Sequence, residues 1–317
     1  MNHVLVLGGT GFLGHALCAQ WVDRSNGAGT RFTVATRRAA HGRDLLELPG
    51  LEVAEADVHD DASLARVLDG CDAVINLVAI LHGSPRDFER VHVQLPQRIG
   101  RLCRTAGLRR VLHVSALGVG PKAPSHYLKT KTAGEAALND AGLDVTVLRP
   151  SVMFGAGDRF LNMFARLEAA LPVVPLAGAR SRHQPVWVDD VAQGLLCCLE
   201  RPQTAGHVYE CVGPEVFTLE ELVRLAGQWS GHPRPVVALP DALARLEALV
   251  SEALPGQPML SRDNLDSMRV DSVATGTLPT LQDLGLQPSS LAAVAPTYLS
   301  SSGAAMTEWY DSWRRKH

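Results

Sequence analysis

The run Val4-Leu5-Val6-Leu7-Gly8-Gly9-Thr10-Gly11-Phe12-Leu13-Gly14 constrains this chain more than any other stretch. Four consecutive apolar residues read as a buried strand. They pass directly into a glycine-rich turn. Beyond it Phe12, Leu13, Ala16, Leu17, Trp21 and Val22 recur at helical spacing, so the turn opens a helix. Gly8, Gly11 and Gly14 make the pattern G-x-x-G-x-x-G. Glycines allow a tight turn and a close backbone approach, and the first turn of a helix leaves its N–H groups without internal partners. Strand, glycine turn and helix in this order suit a pyrophosphate. Gly8, Thr10, Gly11, Phe12, Leu13 and Gly14 are therefore the first candidates for a dinucleotide site.

Strand-like and helical patterns alternate through the first half. Strands are expected at 31–36, 51–56, 72–79, 110–115 and 143–149, and helices near 61–69, 87–106 and 126–141. Asp61 and Pro85 stand near helix starts, and Gly70, Gly107 and Gly142 follow helix ends. Repeated strand–helix–strand units imply an α/β fold: a Rossmann-type, doubly wound parallel sheet with helices on both faces. Ligands of such sheets lie at the carboxyl ends of the strands. That edge adds Leu77, Val78, Ala79, Pro150 and Val152 to the cofactor-binding candidates.

After Arg149-Pro150 the texture changes, and prolines and glycines thicken as far as Pro185. The division this suggests is a Rossmann domain at 1–150, with 184–212 returning to it, and a smaller C-terminal lobe from 151–183 and 213–317. In the returning part, Pro185 to Val188 reads as a short strand capped by Asp189-Asp190 into a helix, and His207 to Val212 as another strand. Thr218-Leu219-Glu220-Glu221 reads as a near capping box, one residue from the ideal spacing. Further helical signals lie at 240–254 and 259–268.

With 317 residues, 46% of them hydrophobic, the chain can bury a sizeable core. Its net charge of −3, with both signs mixed throughout, argues against a nucleic-acid-binding protein. The six cysteines form no C-x-x-C and read as small buried hydrophobes in a reducing compartment. No signal peptide is visible, and the apolar run Ala73 to Leu81 is too short to span a bilayer. A cytoplasmic location is expected, with peripheral association to the inner membrane as the variant. The histidines are scattered without ligand spacing, so no metal is expected.

The end of the second strand bears on cofactor choice. A carboxylate there suits the ribose hydroxyls of NAD, whereas arginine suits the 2′-phosphate of NADP. Here the strand runs into Thr36-Arg37-Arg38. Arg37 and Arg38 favour NADP(H), because a guanidinium grips phosphate bidentately, and NAD(H) is the alternative. Asp57-Val58 follows the third strand, where Asp57 either accepts from the adenine amino group or caps a helix.

Tyr127 and Lys131 lie four apart in a helical segment and so share a face. Ser115 ends the preceding strand. This set has a chemical logic. Tyrosine is the acid/base for a carbonyl–alcohol pair, but its reference pKa is ~10. A neighbouring ammonium lowers that by ~1–3 units. Serine hydrogen-bonds the substrate oxygen, and lysine also holds the nicotinamide ribose. Ser115, Tyr127 and Lys131 are the catalytic candidates.

Together these motifs resemble the atypical extended short-chain dehydrogenases/reductases. More narrowly, the chain is similar to the Rossmann-type accessory subunit of respiratory complex I and its bacterial relatives. The narrower likeness rests on Gly8 to Gly14, His113 to Gly118, Tyr127 to Lys131, Leu148 to Phe160 and Gln184 to Val191. The resemblance implies bound NADP(H), an extra lobe over the carboxyl edge of the sheet, and often no demonstrated turnover. It also implies an asparagine in the helix before the serine strand, where this chain has His92. His92 is either a proton carrier in its place or a packed histidine. Two functions are carried forward. One is an oxidoreductase or epimerase-like enzyme on a small carbonyl, alcohol or quinone-like substrate. The other is a non-catalytic, cofactor-stabilised accessory or assembly protein of a membrane-associated respiratory complex. A last stripe, Met306, Trp309, Tyr310 and Trp313 before Arg314-Arg315-Lys316-His317, either docks, on a partner rather than on bare lipid because Glu308 and Asp311 oppose anionic headgroups, or packs on the chain's own lobe.

Overall fold

The computed structural model describes residues 1–25, 29–253 and 260–300. Its centre is a seven-stranded sheet of β1 (His3–Leu7), β2 (Arg31–Thr36), β3 (Leu51–Glu55), β4 (Ala73–Asn76), β5 (Arg110–Val114), β6 (Asp144–Pro150) and the edge strand Val208–Cys211. The spatial order is β3, β2, β1, β4, β5, β6, then Val208–Cys211, and all pairs are parallel. The chain winds outward from β1 to β3 and then returns to the other side of β1. The order therefore reverses between β1 and β4, and a crevice opens at their carboxyl ends.

The helices are α1 (Phe12–Ser25), α2 (Asp61–Leu68), α3 (Pro85–Glu89), α4 (Leu95–Thr105), α5 (His126–Asn139), α6 (Leu161–Ala170), α7 (Val188–Glu200), α8 (Leu219–Ser230), α9 (Asp241–Ala253), α10 (Arg262–Ser267) and α11 (Leu291–Leu299). Side chains alternate across a strand, so β1 feeds both faces. Val4 and Val6 pack with Leu13, Leu17 and Trp21 of α1 and with Val191 and Leu195 of α7. Leu5 and Leu7 pack with Leu64 of α2, Ile99 of α4 and Leu138 of α5. Each such side chain contributes about 1.5–3 kcal/mol by leaving water. A third cluster joins α6, α8 and α11 through Phe164, Leu222, Val223 and Ala295. It is tied to the loop after β6 by Asp158, which accepts from the Tyr298 hydroxyl at 2.7 Å and from the Phe160 N–H at 2.9 Å.

Several elements differ from the expectation. The fourth strand stops at Asn76, so 77–80 leaves the sheet as a shelf at its carboxyl edge. The single helix expected at 87–106 is α3, a π turn at Arg90–Gln94, and α4. Pro96 is the cause: it has no N–H to bond the His92 carbonyl four residues back, so the α ladder is interrupted there. Gly134 on α5 allows the close approach, since a Cβ at that position would fall 2.0 Å from the His92 oxygen. Asp189 and Asp190 do not cap α7. Trp187 precedes the helix without a side-chain cap, and both acids lie in the first turn, where they favour the helix dipole. Thr218 and Glu221 form a complete capping box, because α8 begins at Leu219 and makes Glu221 the third helical residue. The stripe from Met306 to Trp313 lies outside the described residues. No described helix is long and apolar enough to cross a membrane.

Candidate functional site

The glycine turn is built by close approach. Gly8 leaves β1 at φ +81°, where an L side chain is strained, and a Cβ there would also meet Val78 N at 3.1 Å. The Gly11 N–H donates to the Gly8 carbonyl at 3.0 Å, closing the turn. A Cβ at Gly14 would fall 2.3–2.4 Å from the backbone of Gly9, so the first turn of α1 can pack against Gly9 only through a glycine. Gly11 differs: a Cβ would meet only the Gly8 oxygen, at 3.2 Å. That side of the turn is open, as a pyrophosphate requires. Of the flanking candidates, Leu13 sends its side chain into the core and Phe12 turns its ring towards Gly155 and Gly157. What either offers a ligand is its N–H at the start of the helix, not its side chain. Thr10 is half-buried in the turn.

Beyond the end of β2, Arg37 and Arg38 are exposed; the Arg38 carbonyl accepts from the Thr36 hydroxyl at 3.2 Å and the His41 N–H at 3.0 Å, while neither guanidinium has a hydrogen bond or ion pair among the described residues. Asp57 does not cap α2. Its Oδ1 accepts from the His59 N–H at 2.9 Å, and the cap is Asp60, which accepts from the Ser63 N–H at 2.7 Å. Val58 is buried with Leu5 and Leu64. His59 is held below its usual pKa first by burial and then by Arg90, with Arg98 and Arg37 adding and Asp57 opposing. His59 therefore lies within electrostatic reach of three guanidinium groups, Arg90, Arg98 and Arg37.

Leu77, Val78 and Ala79 form the shelf between β4 and the π turn. The Leu77 N–H donates to the Leu7 carbonyl at 2.9 Å, and the Val78 N–H to Asn76 Oδ1 at 3.2 Å. The Asn76 amide in turn donates to His113 Nδ1 at 3.1 Å. Farther along, the Ile80 N–H donates to His92 Nε2 at 3.1 Å. Asn76 and His113 were not singled out in the sequence as site residues. A polar residue inside a buried strand was the signal.

At the carboxyl end of β5 the Ser115 hydroxyl is buried without a partner among the described residues, while its N–H donates to the Leu148 carbonyl at 2.7 Å. Pro150 accepts from the Leu117 N–H at 3.0 Å, and Val152 accepts from the Val186 N–H at 3.0 Å, so both flank the same edge through their backbones. Lys131 is buried and donates from Nζ to the Val114 carbonyl at 2.7 Å, beside Ser115. Burial pulls the ammonium down to about 8, against the field of Glu135. Tyr127 corrects one expectation. Its phenol is pushed up to about 12 by burial, and no lowering by Lys131 offsets this. The lysine is committed to a backbone carbonyl, and desolvation decides the balance. The start of α5 is fixed by the Ser125 cap and by Asp263 of α10, which accepts from the His126 and Tyr127 N–H groups at 2.6 and 3.1 Å. Asp263 lies more than a hundred residues away in sequence, and no local pattern marks it.

A nicotinamide dinucleotide fits this arrangement of open glycine turn, guanidinium end and proton-bearing side chains. The sequence profile of the NAD-dependent epimerase/dehydratase family matches residues 4–211. The chain belongs to that family. A rat protein named NADH dehydrogenase [ubiquinone] 1 alpha subcomplex subunit 9, mitochondrial, is 31% identical over 293 residues, covering 90% of this chain and 76% of that one. A ceramide reductase from Caulobacter vibrioides is 28% identical over 242 residues, covering 75% of this chain and 74% of that one. The fold is shared with a dTDP-glucose 4,6-dehydratase from Streptomyces venezuelae solved with NAD bound. That match has a TM-score of 0.71 and 21% identity, covering 94% of this chain and 95% of that one.

Proposed function

We propose that this family member binds NADP(H) and exchanges a hydride with a small carbonyl, alcohol or quinone-like substrate, using Ser115, Tyr127 and Lys131. The observation that carries this reading is the Ser115 hydroxyl, a buried polar group that has no partner among the described residues at the carboxyl edge of the sheet. Such groups are rare unless something else satisfies them, and a substrate oxygen would. When bound, the dinucleotide supplies or takes the hydride. In the reductive direction the Tyr127 O–H gives its proton to the carbonyl oxygen as that becomes a hydroxyl, and Ser115 donates a hydrogen bond to the same oxygen. Lys131 keeps further N–H donors for the ribose hydroxyls after its bond to Val114. The open face of the turn at Gly11 takes the pyrophosphate, and the exposed guanidinium groups of Arg37 and Arg38 support NADP(H) over NAD(H).

The experiment is purification of the full chain followed by incubation with NADPH and a panel of quinones, aldehydes and ketones. Substrate-dependent oxidation that Tyr127→Phe abolishes supports the reading. Binding of dinucleotide with no oxidation by any of the panel favours the second reading, an accessory or assembly protein of a respiratory complex stabilised by its cofactor. The likeness to the rat subunit over 90% of the chain favours that second reading. Under it, the protein is cytoplasmic, peripheral to the inner membrane, and co-purifies with the complex.

A further inference from the structure

His92 occupies the π turn between α3 and α4, and only 2% of its surface is exposed. Both ring nitrogens are engaged. Nε2 faces the Ile80 N–H at 3.1 Å. A backbone N–H can only donate, so Nε2 carries no proton. Nδ1 lies 3.1 Å from Thr130 Oγ1 on α5. The single hydrogen of that hydroxyl is directed to backbone carbonyls, at 2.8 Å to His126 and 3.0 Å to Tyr127. The oxygen is left to accept, and Nδ1 has to donate. The two partners therefore select one neutral tautomer, with the proton on Nδ1.

The rest of the surroundings agree. The ring stands edge-on to Tyr127, with centroids 5.4 Å apart, and beside Phe88 at 5.6 Å. The titratable groups facing it are Tyr127 and Lys131 from α5 and His113 from β5. Burial disfavours the charged ring, and Lys131 adds to that by opposing a second positive charge, so the ring is pushed down to about 3. His113 is itself fully buried and held below its usual range. A protonated His92 would also turn a donor towards the Ile80 N–H.

We propose that His92 is a positioning residue: a neutral clip that holds the shelf at 77–80 to the helix bearing Tyr127 and Lys131, and that moves no proton itself. The shelf is then anchored at both ends, at Val78 by Asn76 and at Ile80 by His92. Because Gly8 touches the shelf at Val78 and Leu77, the clip also sets the wall beside the glycine turn. This deepens the reading above and rests on it for the ligand, though not for the tautomer.

The experiment has two parts on the full chain. Nitrogen-15 NMR of histidine-labelled protein, with the His92 signals identified by their loss in His92→Phe, reads the tautomer with no ligand present. The expected result is a protonated Nδ1 and an unprotonated Nε2, unchanged across neutral pH. An Nε2–H tautomer, or protonation of the ring near neutrality, overturns the proposal whether or not a dinucleotide binds. The second part is titration with NADPH. His92→Phe keeps the ring and removes both hydrogen bonds, so affinity should fall about five- to tenfold, in keeping with an orphaned buried donor. Should that variant not fold, Thr130→Val leaves the ring and the Ile80 bond in place and should weaken NADPH in the same direction by a few-fold. Wild-type affinity in a folded variant overturns the clip. Failure of the wild-type protein itself to bind NADPH counts against the proposed function and leaves the tautomer result standing.

Discussion

Glu168 offers a sharp test of how the cluster of α6, α8 and α11 is packed. Its side chain leaves α6 fully buried, and neither carboxylate oxygen has a hydrogen-bond partner among the described residues. It lies flat on Gly227 of α8, where a Cβ would come within 2.3 Å of it. Arg234 faces it with its backbone N–H and its charge, but neither closes a hydrogen bond to the carboxylate, and the Arg234 Nε donates to the Glu168 backbone carbonyl at 3.0 Å. Burial pushes the carboxyl from 4.5 up to about 7. The unfolded chain therefore releases this proton earlier than the folded one. Between those two values the native state binds more protons, so stability falls as pH rises through the window and levels off above it. The full effect, at ~1.4 kcal/mol per pKa unit, is about 3 kcal/mol. Glu168→Gln keeps a neutral side chain of the same shape and has no proton to lose. Its melting temperature should track the wild type near pH 4.5 and exceed it by several degrees near pH 8.5, because ~1 kcal/mol moves a domain of this size by a few degrees. A gap between the two proteins that does not change with pH would refute the reasoning. It would mean that the carboxylate stays ionised on a partner throughout.

Gly14→Ala should destabilise the fold by roughly 1–2 kcal/mol, since overpacking against the Gly9 backbone outweighs the helix-propensity gain of ~1 kcal/mol. An unchanged melting curve would contradict the contact. Gly11→Val should melt like the wild type yet lose dinucleotide binding, and retained affinity would show that the ligand does not cross this turn. If the substrate panel reveals turnover, Tyr127→Phe should abolish it and leave NADPH affinity nearly intact, whereas Lys131→Ala should damage both and also lower the melting temperature, because the Val114 carbonyl loses its donor; kinetics, titration and melting on the two variants check this. Deletion after Ala305, read by melting and by pull-down from a native lysate, tests whether the stripe around Trp309 docks. Unchanged stability with unchanged partners leaves it without that role.

The sheet was legible because parallel strands buried on both faces are continuous apolar runs, as at Val4 to Leu7 and Ala73 to Ile75. The glycine turn was legible in spacing, but not the division of labour within it. The left-handed position is Gly8, the packing position is Gly14, and Gly11 alone is open. Gly11→Val therefore acts through space, not backbone strain. Helix 87–106 misled because its periodicity survives a π turn; Pro96, read against the residue four before it, was the missed cue. The anchors of the site were least legible. His92 to Ile80, His92 to Thr130 and Asp263 to Tyr127 join distant segments, and nothing local encodes such contacts. The Tyr127 pKa went the other way because spacing gives proximity to Lys131 but not the desolvation that outweighs it.

The central claim is that the crevice at the carboxyl ends of β1 and β4 binds a nicotinamide dinucleotide with its 2′-phosphate against Arg37 and Arg38. Calorimetric titration of the purified chain with NADPH and with NADH, repeated on Arg37→Ala, tests it most directly. A charge-assisted contact contributes ~1.5–3 kcal/mol, so NADPH should bind on the order of tenfold or more tighter than NADH, and the substitution should erase the gap. Equal affinity for the two cofactors, or tighter NADH, would contradict the assignment of the guanidinium end, and no heat with either would contradict the site itself.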